Sequence, residues 1–203
     1  DVYKRQLRDK VREKRTGHVF LFVVDASGSM GAKKRMSIVK GVIFKMLLEA
    51  YQKRDRVGMI AFRKKKAEVL LPITRSVEFA QKKLADLPTG GKTPLASGLR
   101  KAEDVLDMLY RQEPTQEPVV ILITDGRATA GSNPDSDPVA DALREGARLR
   151  RRNLPIAVID TESGYIRLGL AEKLANIMGA SYFHVDKLSE DSLLHIWRTT
   201  TED

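Results

Sequence analysis

The chain has 203 residues, no cysteine, and 36 Lys+Arg against 27 Asp+Glu, for a formal net charge of +9. Without cysteine there is no disulfide, thiolate zinc site, iron–sulfur cluster or cysteine nucleophile. The longest fully apolar run, Val19–Val24, is far shorter than the ~20 residues of a spanning helix, and no secretory signal appears, so a cytoplasmic domain without a membrane span is expected.

In chain order, residues 1–15 hold seven Lys/Arg and three Asp/Glu. Residues 1–16 are expected to form a basic N-terminal helix or linker remnant, and 17–203 a single domain. The chain does not begin with Met, so it reads as a piece of something longer. His18–Asp25 is a near-continuous apolar run, the pattern of a central strand covered on both faces. Met36, Val39, Ile43, Met46/Leu47 and Ala50 then recur every three to four residues, as on an amphipathic helix. Val57–Phe62 is a second buried strand. Glu68–Pro72, after the basic turn Arg63–Lys66, reads as an antiparallel edge strand, where Pro72 is tolerated.

Lys83–Leu87 reads as a helix end. Leu95, Leu99, Ala102, Leu106 and Leu109 mark the next helix, and Val119–Thr124 the next central strand. The turn-rich stretch Gly126–Pro138 precedes a helix with Val139, Leu143, Gly146 and Ala147 as its stripe. Ile156–Asp160 is a strand, Leu170, Leu174 and Ile177/Met178 a short helix, Tyr182–Val185 a strand, and a last helix starts near Ser189. Such alternation implies an α/β, doubly wound, Rossmann-like fold: a central, mostly parallel sheet with one antiparallel edge strand and helices on both faces.

The remaining basic clusters are Lys33-Lys34-Arg35, Arg63–Lys66, Arg148 and Arg150-Arg151-Arg152. No aromatic interleaves with them as a base-stacking surface requires. They read as solvated faces, and no nucleic-acid partner is expected.

Three features fall at predicted strand ends, where open α/β sheets bind ligands: Asp25-Ala26-Ser27-Gly28-Ser29, Gly90-Gly91-Lys92-Thr93-Pro94 and Thr124-Asp125-Gly126. Together they offer two carboxylates and three hydroxyls, with no sulfur or imidazole. That is a hard-cation set, suited to Mg²⁺, with Mn²⁺ as the alternative. Asp25, Ser27 and Ser29 stand at i, i+2 and i+4, which puts alternate side chains on one side of an extended or turning chain. Bland readings accompany each: Asp25 as an Asx-turn residue, Thr93 as the N-cap before a first-turn proline, Asp125 as a turn residue. An ion held partly through water keeps an open position that attracts a carboxylate from another molecule.

Gly91-Lys92-Thr93 imitates the end of a phosphate loop, but Asp86 stands where the first glycine is needed and no strand precedes it. His18, His184 and His195 show no metal-ligand spacing and read as structural or surface residues. Asp135 and Asp137 read as solvated turn acids. Met30 reads equally as a plug over the site or as a core-filling methionine; as a plug it is a candidate partner contact, with Glu162 and Tyr165 of the loop after Ile156–Asp160 on the same rim.

The D-x-S-x-S turn, the lone Thr in a Gly-rich loop and T-D-G resemble the metal-ion-dependent adhesion site of von Willebrand factor A domains, over about residues 17–200. VREKRTGHVFLFVVDASGSMGA, QKRDRVGMIAFR, LPTGGKTPLASGL and DTESGYIRLGLAEKLA resemble the C-terminal A domain of magnesium chelatase D subunits and of related putative cobaltochelatases. The resemblance implies a non-catalytic platform whose metal set is Asp25, Ser27, Ser29, Thr93 and Asp125. Its implied partners are an AAA+ ATPase subunit and a large porphyrin-binding chelatase subunit, one of them supplying an acid to the ion, in a complex that inserts a metal into a tetrapyrrole. Two alternatives stand beside it: an A domain serving a cobaltochelatase or a MoxR-type AAA+ system, and a Mg²⁺-dependent phosphohydrolase with Asp25 as nucleophile. Against the latter, Ser27 occupies the position where such enzymes want a second Asp.

Overall fold

A computed structural model describes residues 17–31, 33–164, 167–188 and Ile196. The expected basic segment 1–16, Tyr165, His195 and all of the helix from Ser189 except Ile196 lie outside the described residues. Six strands form one sheet: β1 (Val19–Asp25), β2 (Arg56–Arg63), β3 (Lys66–Thr74), β4 (Pro118–Thr124), β5 (Ile156–Asp160) and β6 (Ser181–His184). Five helices connect them: α1 (Lys33–Lys53), α2 (Val77–Ala85), α3 (Leu95–Gln112), α4 (Pro138–Arg150) and α5 (Leu170–Met178). The strand order is β3-β2-β1-β4-β5-β6. Every pair is parallel except β2–β3, so β3 is the expected antiparallel edge.

β1 shows why the sheet is wound on both faces. It is buried throughout, and its side chains alternate between two cores, as strand geometry requires. Phe20, Phe22 and Val24 join Met36, Val39, Ile43, Met46 and Leu47 of α1, Ala80 and Leu84 of α2, and Ile196. Leu21 and Val23 join Leu95, Leu99, Ala102 and Leu106 of α3, together with Leu149 of α4 and Leu174 of α5. Burying each such leucine or isoleucine contributes about 1.5–3 kcal/mol. A parallel sheet covered in this way needs no polar alternation, which is why β1, β4 and β5 read as unbroken apolar runs.

Three local differences from the sequence reading have physical reasons. The basic hairpin turn is shorter than four residues, because Arg63 already pairs with Lys66 and Lys64 takes a left-handed φ of 59°. Pro72 lies inside β3, where the β2–β3 register slips between Val57/Thr74 and Met59/Leu71; its missing N–H falls at an irregularity on an edge. In α4 the buried face carries Asp141, Ala142, Glu145, Gly146 and Leu149, about one position round from the expected stripe. Two acids share that face because arginines of α3 and α4 close on them.

α2 begins at a side-chain cap: Ser76 Oγ accepts the Phe79 N–H at 3.2 Å. Ending that helix at Ala85 leaves residues 88–94 free to cross over the end of β1. Among the described residues no helix is long and apolar enough to cross a membrane.

Candidate metal centre

β1, β4 and β5 end level with one another: Val24 pairs with Ile123, and Thr124 with Asp160. The residues following them therefore gather at one edge of the sheet. Asp25, the last residue of β1, is wholly buried. Its Oδ1 accepts the Ser27 N–H at 2.9 Å, an Asx turn that bends the chain into the 3₁₀ turn Gly28–Gly31. Its Oδ2 accepts the Thr124 hydroxyl at 2.9 Å. The turn reading of Asp25 thus describes one of its oxygens, and the other faces β4. Ser27 Oγ and Ser29 Oγ lie 3.0 Å apart, so the i, i+2 spacing does bring both hydroxyls together.

The second loop is strapped onto the first by backbone. Gly90 N–H donates to Ala26 O at 2.9 Å, and Gly28 N–H to Gly91 O at 2.8 Å. Both glycines of the strap are needed. A Cβ at Gly28 would lie 3.2 Å from Gly91 O; one at Gly91, whose φ is +82°, would lie 2.6 Å from the Lys64 side chain. The strap brings in Thr93, which is 2% exposed. Thr93 N–H donates to Thr129 Oγ1 at 2.8 Å, and its carbonyl accepts the Thr129 and Ala130 N–H groups at 3.1 and 3.2 Å. That locks the third loop onto the second. Thr93 is not the N-cap that its sequence position suggested. Helix α3 starts at Leu95, Pro94 is the cap residue, and no side chain closes that end.

Asp125, one residue beyond β4, is buried. Its Oδ1 accepts the Arg127 N–H at 3.1 Å. Its Oδ2 has Arg35 Nη1 at 3.4 Å and Arg127 Nε at 3.8 Å. Asp25 and Asp125 are close enough to repel one another. Burial first, and then the negative charge of Asp125, push the Asp25 carboxyl up to about 7, against the hydrogen bonds from Ser27 and Thr124. Two buried acids, with the paired Ser27 and Ser29 hydroxyls on the turn after Asp25 and buried Thr93 in the loop strapped to that turn, offer an oxygen-only donor set. Their chemistry fits a hard divalent cation, whose charge relieves the repulsion between the two carboxylates. Among the described residues no cluster of three or more His, Asp or Glu that could hold a metal is found.

Other expected rim residues sit differently. Met30 is wholly buried in the core under α1 and its Sδ accepts the Thr161 hydroxyl at 3.2 Å. Glu162 is buried; its carboxylate accepts the N–H groups of Leu168 at 2.7 Å and Gly169 at 3.3 Å, before α5, and His184 Nε2 meets its carbonyl at 2.8 Å. Both hold the β5 loop from within. Asp137 caps α4 by accepting the Val139 and Ala140 N–H groups, a local role in keeping with a turn acid, and Asp135 is exposed.

Three residues near the centre had escaped notice. Thr124 hydrogen-bonds Asp25 and also accepts the Gly126 N–H at 3.1 Å; the T of T-D-G was its signal. Asp160 ends β5, but its oxygens are engaged by the Glu162 N–H at 2.7 Å and the Tyr182 hydroxyl at 2.6 Å. Burial and this Asp160 contact raise the Tyr182 phenol above its usual range. Arg35 reaches from α1 to three loops at once: Nη1 donates to Ser29 O at 2.7 Å and lies beside Asp125, and Nη2 donates to Ser163 Oγ. Nothing in the basic run Lys33–Arg35 singles it out, since only the fold shows which of the three turns inward.

A family model described as von Willebrand factor type A domain matches residues 20–127. An uncharacterized protein of Methanocaldococcus jannaschii is 41% identical over 84% of this chain and 97% of its own. The magnesium-chelatase 60 kDa subunit of Cereibacter sphaeroides is 40% identical over 89% of this chain and 35% of its own. The chain spans about a third of the length of the magnesium-chelatase subunits it matches, between 29% and 35%. Among solved structures, the vWF domain of the type V pili tip protein Mfa5 from Porphyromonas gingivalis superposes with a TM-score of 0.69 at 14% identity, over 93% of this chain and 97% of that one. On the family match, the close relatives and the sheet order together, the chain belongs to the von Willebrand factor type A domain family and is similar to magnesium-chelatase subunits over most of its length.

Proposed function

We propose that this domain is a Mg²⁺-dependent docking module of a magnesium-chelatase-type complex, non-catalytic by itself. Asp25, Ser27, Ser29, Thr93 and Asp125 would hold the ion. A bound divalent cation supplies positive charge and a coordination position that an outside carboxylate can fill. The chain's own residues do the rest: Thr124 and the Ser27 N–H orient Asp25, the Gly28–Gly91 strap holds the Thr93 loop, and burial keeps bulk water from screening the charge. The partner is an acid-bearing surface of another subunit of an AAA+-driven chelatase assembly.

The observation that carries this reading is the pairing of two buried carboxylates at one sheet edge, with Asp25 pushed up to about 7 by burial and by Asp125. The similarity to chelatase subunits supports the choice of complex. The phosphohydrolase alternative has less support, because Ser27 stands where such enzymes want a second Asp. Co-purification from the host in Mg²⁺ and in EDTA tests the proposal. Capture of an AAA+ subunit in Mg²⁺, lost with Ser27→Ala/Ser29→Ala, is the expected result. Equal capture by the double variant in EDTA would falsify it.

A further inference from the structure

Arg35 also lines a cleft of about 260 Å³. Lys34, Arg35, Ile38 and Val39 of α1 bound it on one side, and Val185 and Asp186, just past β6, on the other. That volume falls below the ~300–1,000 Å³ of small-molecule sites and suits a single side chain. Ile38, Val39 and Val185 give it an aliphatic part, Thr161 and Ser163 add two hydroxyls, and its charged groups are two cations and one acid, Asp186, whose side chain is 65% exposed.

Arg35 is the shared wall between this cleft and the candidate metal centre. Three other arginines close tightly on carboxylates: Arg56 on Glu113 at 2.6 and 2.7 Å, Arg100 on Glu145 at 2.6 Å, Arg152 on Asp107 at 2.6 Å. Arg35 stands 3.4 Å from Asp125 Oδ2, longer than the ~2.7–2.9 Å of a closed charge-assisted bond. Its contacts with Ser29, Asp125 and Ser163 use three of the five N–H groups that a guanidinium offers.

We propose that the cleft receives a glutamate side chain from the same partner segment whose acid completes the metal centre. Its methylenes lie against Ile38, Val39 and Val185, and its carboxylate against Arg35 and Lys34. This inference rests on the docking function proposed above and names the partner's chemistry: an acidic segment with a second, longer acid near the first. Charge complementarity selects Glu over its isostere Gln, and the aliphatic part of the lining selects a stem of two methylenes.

The test is fluorescence anisotropy with the full chain in Mg²⁺. Labelled peptides carry one Asp followed, one to four residues later, by Glu, Gln or phosphoserine. At one spacing the Glu peptide is expected to bind about tenfold tighter than its Gln counterpart. Arg35→Gln and Lys34→Gln should each shrink that ratio, and Lys34, at the exposed start of α1, can be changed without touching the core. Equal binding of Glu and Gln peptides, with Mg²⁺-dependent binding intact, overturns the cleft assignment alone. A phosphoserine peptide that outbinds Glu overturns it in favour of a phosphate ligand. Absence of Mg²⁺-dependent binding by any peptide overturns both the cleft and the docking reading.

Discussion

Between α3 and α4 the chain buries Glu103, Asp141 and Glu145 and closes each with arginine: Arg148 on Glu103 at 3.1 Å, Arg100 on Glu145 at 2.6 Å, Arg144 on Asp141. Ser132 N–H and Ser136 Oγ also donate to Asp141, at 2.7 and 2.6 Å. These bonds hold its carboxyl below the usual range. At the C-terminal edge of the sheet the chain buries Asp25 and Asp125 as deeply and leaves the nearest arginines 3.4 and 3.8 Å from Asp125. There Asp25 is pushed up to about 7. One pattern of burial takes two forms: closed ion pairs, two of which fasten α3 to α4, and two neighbouring acids whose nearest arginines stand off.

The sharpest way to break this comparison is to neutralise one acid in each region. Asp141→Ala removes the acceptor for Ser132, Ser136 and Arg144, and should lower unfolding stability by about 2–3 kcal/mol in urea titrations. Asp25→Asn should act in the opposite direction, raising the stability of the chain at pH 8 in EDTA by about 1–2 kcal/mol, because the folded state no longer ionises a buried acid. Destabilisation by both substitutions would show that the two regions do not differ.

The pH dependence sharpens the same contrast. Asp25 holds its proton in the folded state up to about pH 7, but releases it near 3.8 when unfolded. The folded chain therefore binds more protons between those values, and that contribution to stability fades as pH rises through about 7. Asp141, shifted the other way, contributes above the usual carboxylate range and loses its contribution as pH falls. In EDTA, wild type should lose about 2–3 kcal/mol between pH 5 and pH 8, measured as the excess over the same loss in Asp25→Asn. The smallest expected effect is that of Thr124→Val. It removes the hydrogen bond to the charged form of Asp25 and the acceptor of the Gly126 N–H, which should weaken Mg²⁺ binding about tenfold by calorimetry.

The sheet was legible because its strands are apolar on both faces. β1, β4 and β5 stand out as unbroken runs, and the α1 and α3 stripes fall on the buried residues. α4 misled because periodicity counts only apolar residues, while Asp141 and Glu145 are buried by pairing with arginines that no local pattern reveals. For the candidate site, the chain positions of Asp25, Ser27, Ser29, Thr93 and Asp125 at or beside strand ends were readable, and the structure brings them to one edge. Their supports were not. The Gly28–Gly91 strap joins residues 63 apart by backbone alone, and Arg35 lies 90 residues from Asp125. Of the two readings of Met30, plug or core filler, local sequence could not choose; the 3₁₀ turn carries it under α1, into the core.

The most direct test of the central claim is the thermal midpoint of the chain at pH 8, with and without Mg²⁺, for wild type and for Ser27→Ala/Ser29→Ala. Wild type should rise by several degrees in millimolar Mg²⁺, since binding to the folded state alone stabilises by mass action (about 2.7 kcal/mol at a hundredfold excess over Kd). The double variant, with both carboxylates in place but two hydroxyls gone, should lose most of that rise. An unchanged midpoint in wild type, or the same rise in both proteins, would contradict a cation held jointly by the two carboxylates and their neighbouring hydroxyls.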